Sequence, residues 1–124
     1  MNWTWILMVG GAMVALSLLR RMFFVSAEVA RQYLQQGALV IDVRSPEEFR
    51  GGHPPSAVNI PLGEMRDSLP RRVKDKRQVL LLHCLSGGRS GLAKQQAKGL
   101  GYRNVFNLGS YGRAERIVGA PRNP

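Results

Sequence analysis

The chain has 124 residues, the size of one domain of about 100 residues plus an appendage. Its single cysteine excludes an internal disulfide framework, and one Cys with two His, at 53 and 83, has no metal-ligand spacing. Eighteen Lys and Arg against eight Asp and Glu give a net charge of +10, which favours anionic partners. No zinc knuckle, recognition-helix pattern or aromatic-rich RNA-binding motif accompanies that charge, so nucleic acid is not expected.

Trp3 to Leu19 (WTWILMVGGAMVALSLL) is an apolar run of 17 residues whose only polar members are Thr4 and Ser17; Arg20 and Arg21 follow at once. As a helix it spans roughly 26 Å, slightly short of a bilayer core, and snorkelling arginines or local thinning close the gap. Trp3 and Trp5 stand where an interfacial aromatic belt falls. A secretory signal carries positive charge before its apolar stretch, whereas here the charge comes after, although VSA at 25 to 27 offers a competing cleavage site. Residues 1–25 are therefore predicted to form an uncleaved transmembrane anchor with a basic flank. The positive-inside rule then puts residues 26–124 on the cytoplasmic side of a cell inner membrane.

Ser26 caps a predicted helix from about Ala27 to Gln36, with Val29, Tyr33 and Leu34 on one face and Gly37 as its stop. ALVIDV, 38 to 43, is a short apolar run of the kind that forms a strand covered on both faces. RSPEEF, 44 to 49, turns into a short helix with Ser45 as N-cap and Pro46 at its first position. VNIPL, 58 to 62, is a brief strand, 63 to 69 a charged helical segment, and RRVKDKR, 71 to 77, a basic connector suited to an anionic lipid surface. VLLLHC, 79 to 84, is the most apolar run of this part. A helix over 90–102, a strand over 104–108 and a short helix within 112–118 complete the chain. Strands alternating with helices imply a parallel α/β sheet with helices on both faces.

Cys84 thus falls at the carboxyl end of the central strand, just before a helix, which is the edge where open α/β sheets bind ligands. Gly87 and Gly88 let successive backbone N–H groups turn into one hollow, and the helix start adds its positive end. With Arg89 these features lower the thiol pKa and favour a nucleophilic thiolate over a packed spectator. A nucleotide P-loop is excluded, because no Lys-Ser/Thr pair follows the glycines. His83 alternates to the opposite side of the strand from Cys84, as a packed histidine.

VIDVRSPEEFRGGHPPSAVNIPL, 40 to 62, followed by a strand ending in Cys84 and the loop to Arg89, resembles the rhodanese (sulfurtransferase) domain over residues 26 to 121. The resemblance implies a five-stranded parallel sheet flanked by helices, preceded here by one transmembrane helix. It implies that the Cys84 thiolate takes the sulfane sulfur of thiosulfate, or of another persulfide donor, as sulfite or a thiol leaves. The resulting persulfide, cradled by Leu85, Ser86, Gly87, Gly88, Arg89 and Ser90, then passes sulfur to cyanide or a cellular thiol, and no cofactor is needed. Arg89 is expected to meet the anionic end of the donor, and Asp42 and Arg44 to brace the site. The six-residue loop, Cys84 to Arg89, has sulfurtransferase length; the related dual-specificity phosphatases have one residue more. Pro54 and Ser56 depart from the family pattern, Ser56 standing where glycine is usual. The competing reading is a membrane-tethered rhodanese fold that senses sulfur or redox state, or docks a partner, with little turnover.

Overall fold

Four short strands form one parallel sheet in the order β2-β1-β3-β4. The structure is a computed structural model and describes residues 2–119; the end of the predicted 26–124 domain, 120–124, lies outside the described residues. Chain order is α1 (Trp3–Phe23), α2 (Ala27–Gln35), β1 (Leu39–Asp42), α3 (Pro46–Arg50), β2 (Val58–Asn59), a 3-10 turn (Leu62–Glu64), α4 (Met65–Arg72), β3 (Leu80–His83), α5 (Gly88–Gly99), β4 (Val105–Gly109) and α6 (Tyr111–Val118).

β3 occupies the centre because it has nothing polar to expose before its last residue: all four residues are buried, paired with β1 on one side and β4 on the other. Alternation along the strands sorts the core into two layers. Ile41, Leu80, Leu82 and Cys84 pack with α4 and α5, whereas Val40, Leu81 and Leu108 pack with α2 and α6. Tyr33 stacks on Phe106 at 4.9 Å between centroids, and Ala30 and Leu34 fill the α2 side, while Val29 remains exposed.

The sheet has four strands, not the five the resemblance implied. Beside the free edge of β4, the extended Phe24–Val25 segment makes a single ladder-type bond, Val25 N–H to the Asn107 carbonyl at 2.9 Å. Helix α1 runs on through Phe23 and α2 begins at Ala27, so only three residues lie between them, too few for a ladder. The predicted strand over 58–62 is also shorter, because Pro61 has no N–H to donate and Leu62 enters a 3-10 turn.

Trp3–Arg20 is long and apolar enough to cross a membrane, and none of it is buried against the domain; length and composition are those of an anchor or of a signal sequence. Only the end of α1 touches the domain. The rings of Phe23 and Phe24 lie against Gly91 and Gly87, where an added Cβ would come within 2.5 and 2.7 Å of them.

Candidate active site

The carboxyl ends of β1, β3 and β4 bring Asp42, His83 and Gly109 to one edge, and Cys84 follows β3 directly. Its backbone N–H still donates to the Gly109 carbonyl, at 3.2 Å, so the thiol leaves the sheet from an anchored position. The chain then turns sharply at Gly87, whose φ of +102° suits glycine, and enters α5 at Gly88. That turn aims the Gly87 N–H at Cys84 Sγ, 2.9 Å away, and brings the Ser90 hydroxyl to 3.5 Å.

Cys84 is 1% exposed. Burial pushes its pKa up, but the Ser90 hydroxyl and the N–H groups of Ser90, Gly87 and Ser86 outweigh burial and hold it below the ordinary thiol value. The sulfur therefore sits among donors at the positive end of a 12-residue helix, an arrangement that favours a thiolate. Asn107 organises these donors. It is buried, donates to the Gly87 carbonyl at 3.0 Å, and accepts from Ser90 Oγ at 2.7 Å and from the Gly109 N–H at 3.0 Å. Ser90 has one hydroxyl proton, and Asn107 Oδ1 is its nearest acceptor, so a developing thiolate must draw that proton across.

The other predicted residues divide between the loop and its supports. Leu85 and Ser86 are exposed at the mouth, Gly87 is buried, and Gly88 is exposed at the helix start. Arg89, expected to meet a donor anion, forks onto Glu48 instead, with contacts of 2.7 and 3.0 Å. Glu48 also closes the capping box of α3 with Ser45, and Arg89 first, then the Ser45 backbone, lower its carboxyl pKa to about 2. Asp42 and Arg44 form a buried fork at the end of β1, and Arg44 reaches on to the Gly52 carbonyl at 2.7 Å and lies over the Tyr111 ring. His83 lies on that opposite side, 3.7 Å from Asp42, with a buried Nε2 that has no hydrogen-bond partner; burial depresses its pKa, against the pull of Asp42. His53 stacks on Phe49 at 3.8 Å, away from the thiol.

Asn107 and Glu48 are the functional partners that sequence reasoning did not assign. Asn107 had a usable signal, a polar residue inside an otherwise apolar strand. The Glu48–Arg89 pair spans 41 residues and left no local trace.

Residues 26–112 match the family model described as the Rhodanese-like domain. The chain belongs to the rhodanese-like family. It is 39% identical to thiosulfate sulfurtransferase PspE of Escherichia coli over 56% of its own length and 66% of PspE. It is 31% identical to a tRNA uridine(34) hydroxylase of Erwinia tasmaniensis, over 77% of this chain and 30% of that protein. The human single-domain sulfurtransferase TSTD1 superposes with a TM-score of 0.63 at 27% identity, covering 81% of this chain and 98% of that one. The chain spans 66, 55 and 46% of the length of three of its curated relatives. The family relation is to rhodanese-like, sulfurtransferase-type proteins, and its members carry different names.

Proposed function

We propose that this rhodanese moves a sulfane sulfur from thiosulfate, or from a persulfide, to a thiophilic acceptor through a persulfide on Cys84. One observation carries the reading: Cys84 Sγ receives the Gly87 N–H at 2.9 Å inside a loop that lowers its pKa. The thiolate attacks the sulfane sulfur, a new S–S bond forms, and the old one breaks with its electron pair on the departing sulfite. The persulfide's terminal sulfur carries the negative charge, which the loop N–H groups and the helix end stabilise. Cyanide or a thiolate then attacks that terminal sulfur and the Cys84 thiolate leaves, ready for another cycle. Leu85, Ser86, Gly87, Gly88, Arg89 and Ser90 form the cradle, and Asp42 and Arg44 hold the strand ends that carry it.

In this reading residues 1–25 anchor the rhodanese domain, 26–124, in a cell inner membrane with the domain in the cytoplasm. The arginine pair that directly follows the apolar run supports that orientation. Intact mass after thiosulfate treatment tests the chemistry. One added sulfur atom is expected on the wild type and none on Cys84→Ser, with thiocyanate released on adding cyanide. A folded protein that takes up no sulfur from thiosulfate or a low-molecular-weight persulfide would leave the domain as a sensing or docking module.

A further inference from the structure

Between the end of α1 and the mouth of the cysteine loop lies a cleft of about 910 Å³ whose arginines have no role in the proposed sulfur transfer. Arg20 of α1 and Arg113 and Arg116 of α6 line it, together with Leu85 and Ser86 of the loop. No carboxylate lines it, and none of the three arginines joins an ion pair among the described residues. The arginines therefore concentrate positive charge that no described acidic residue neutralises. Burial and then the charge of Arg116 depress the pKa of Arg113. Arg113 cannot swing away, because its guanidinium donates to the carbonyls of Leu108 and Val25 and stands over the Phe24 ring. Ser26 and Ser110, the N-caps of α2 and α6, also line the cleft, so two helices point their positive ends toward it. The cation expected to face a donor, Arg89, is already occupied by Glu48.

We infer that this cleft is an oxyanion-binding site, built by Arg113 and Arg116 and completed by Arg20 from the anchor. Its ligand carries a sulfonate, phosphate or carboxylate group, and the cleft is large enough for a molecule well beyond the size of a bare inorganic anion. Two sources supply that chemistry: a free anionic solute arriving at the loop, or the phosphate of an anionic lipid at the membrane face where α1 ends. In either case the anchor contributes a residue to the site. Phe23 and Phe24 fix where that residue stands, by seating their rings on Gly91 and Gly87.

The test uses the full chain with Cys84→Ser, so that binding is read without sulfur transfer and its result does not depend on the proposed function. In neutral detergent micelles, calorimetric titration with sulfate, an unreactive oxyanion, is expected to give one site per chain. Arg20→Gln and Arg116→Gln should each weaken it about 5- to 10-fold, as loss of one charge-assisted contact does, while Arg103→Gln changes nothing. In nanodiscs of phosphatidylcholine with and without phosphatidylglycerol, thermal unfolding separates the sources. A phosphatidylglycerol-dependent rise in Tm that Arg20→Gln or Arg116→Gln abolishes identifies a lipid phosphate. Sulfate binding with no such rise identifies a free anion. Absence of both, or binding that survives the two substitutions unchanged, overturns the inference.

Discussion

Cys84 sits under two opposed forces, and their balance sets its reactivity. Enclosure within the fold disfavours the thiolate, and the donors of residues 86 to 90 more than offset it. Ser90 is the adjustable member, since its hydroxyl lies between Cys84 and Asn107. Ser90→Ala should raise the thiol pKa and move the pH midpoint of iodoacetamide alkylation upward. Sulfur loading at neutral pH should slow as the thiolate fraction falls, by at most about tenfold for every pH unit the midpoint moves. Well above both midpoints the two proteins should alkylate alike; a variant that is slow at every pH would mean that Ser90 shapes access instead of charge. Glu48 has the opposite titration partner and a plain pH signature. Its folded pKa, about 2, lies below the ordinary 4.5, so its ionised form contributes stability that is complete above 4.5 and lost as pH falls toward 2. Glu48→Gln should lower the denaturation midpoint at pH 7, and the gap to wild type should close through that acid window. The cysteine, its glycines and Arg89 were legible in the sequence because they are consecutive. What Arg89 binds was not, because only the folded turn of α3 brings Glu48 to it.

The elements of the sheet were legible for a different reason: a parallel strand buried on both faces is predominantly apolar, and 38–43, 79–84 and 104–108 are such runs, interrupted only by Asp42, His83, Asn104 and Asn107. Helix starts were legible where Ser26 and Ser45 supply a hydroxyl for an unpaired N–H. The Phe23–Phe24 pair was not, since an apolar side chain at the end of a long apolar helix has the same character whether it continues that helix's exposed face or meets a glycine cradle. Its packing makes Gly87 intolerant of any side chain. Gly87→Ala forces a left-handed residue and drives a methyl to within 2.7 Å of the Phe24 ring, costing about 1–3 kcal/mol in chemical denaturation. Its sulfur loading should fall further than its stability, because the displaced N–H is the one aimed at Sγ. Ser56, the residue standing where glycine is usual, adopts φ of +65°, the only positive φ of a non-glycine among the described residues. Ser56→Gly relieves left-handed strain and adds back chain entropy in the unfolded state. The net expectation is a gain of about 0.5 kcal/mol, read as a higher denaturant midpoint with an unchanged slope.

Across the whole molecule, charge and hydropathy are divided at residue 20: nothing charged precedes it, and all of the +10 follows. Under the proposed anchoring, a chain so divided would insert with its uncharged end translocated and its arginines retained, leaving the domain on the cytoplasmic side. Cleavage near VSA would give a different molecule, lacking Arg20 and the two phenylalanines and so lacking one side of the basic cleft and the rings that cover Gly87 and Gly91. Single-cysteine labelling separates the two on a Cys84→Ser background. If the proposed orientation holds, Asn2→Cys should react with a membrane-impermeant maleimide added to intact cells, because residue 2 would then lie on the far side of the inner membrane. Arg103→Cys, on an exposed turn of the domain, should react only after lysis. The purified chain should also keep the mass of its N-terminal segment. Labelling of Arg103→Cys in intact cells would reverse the orientation, and a mature chain that begins near residue 28 would mean that the anchor is removed. A basic cleft completed by Arg20 requires the intact chain, whereas a cleaved chain would keep Arg113 and Arg116 alone.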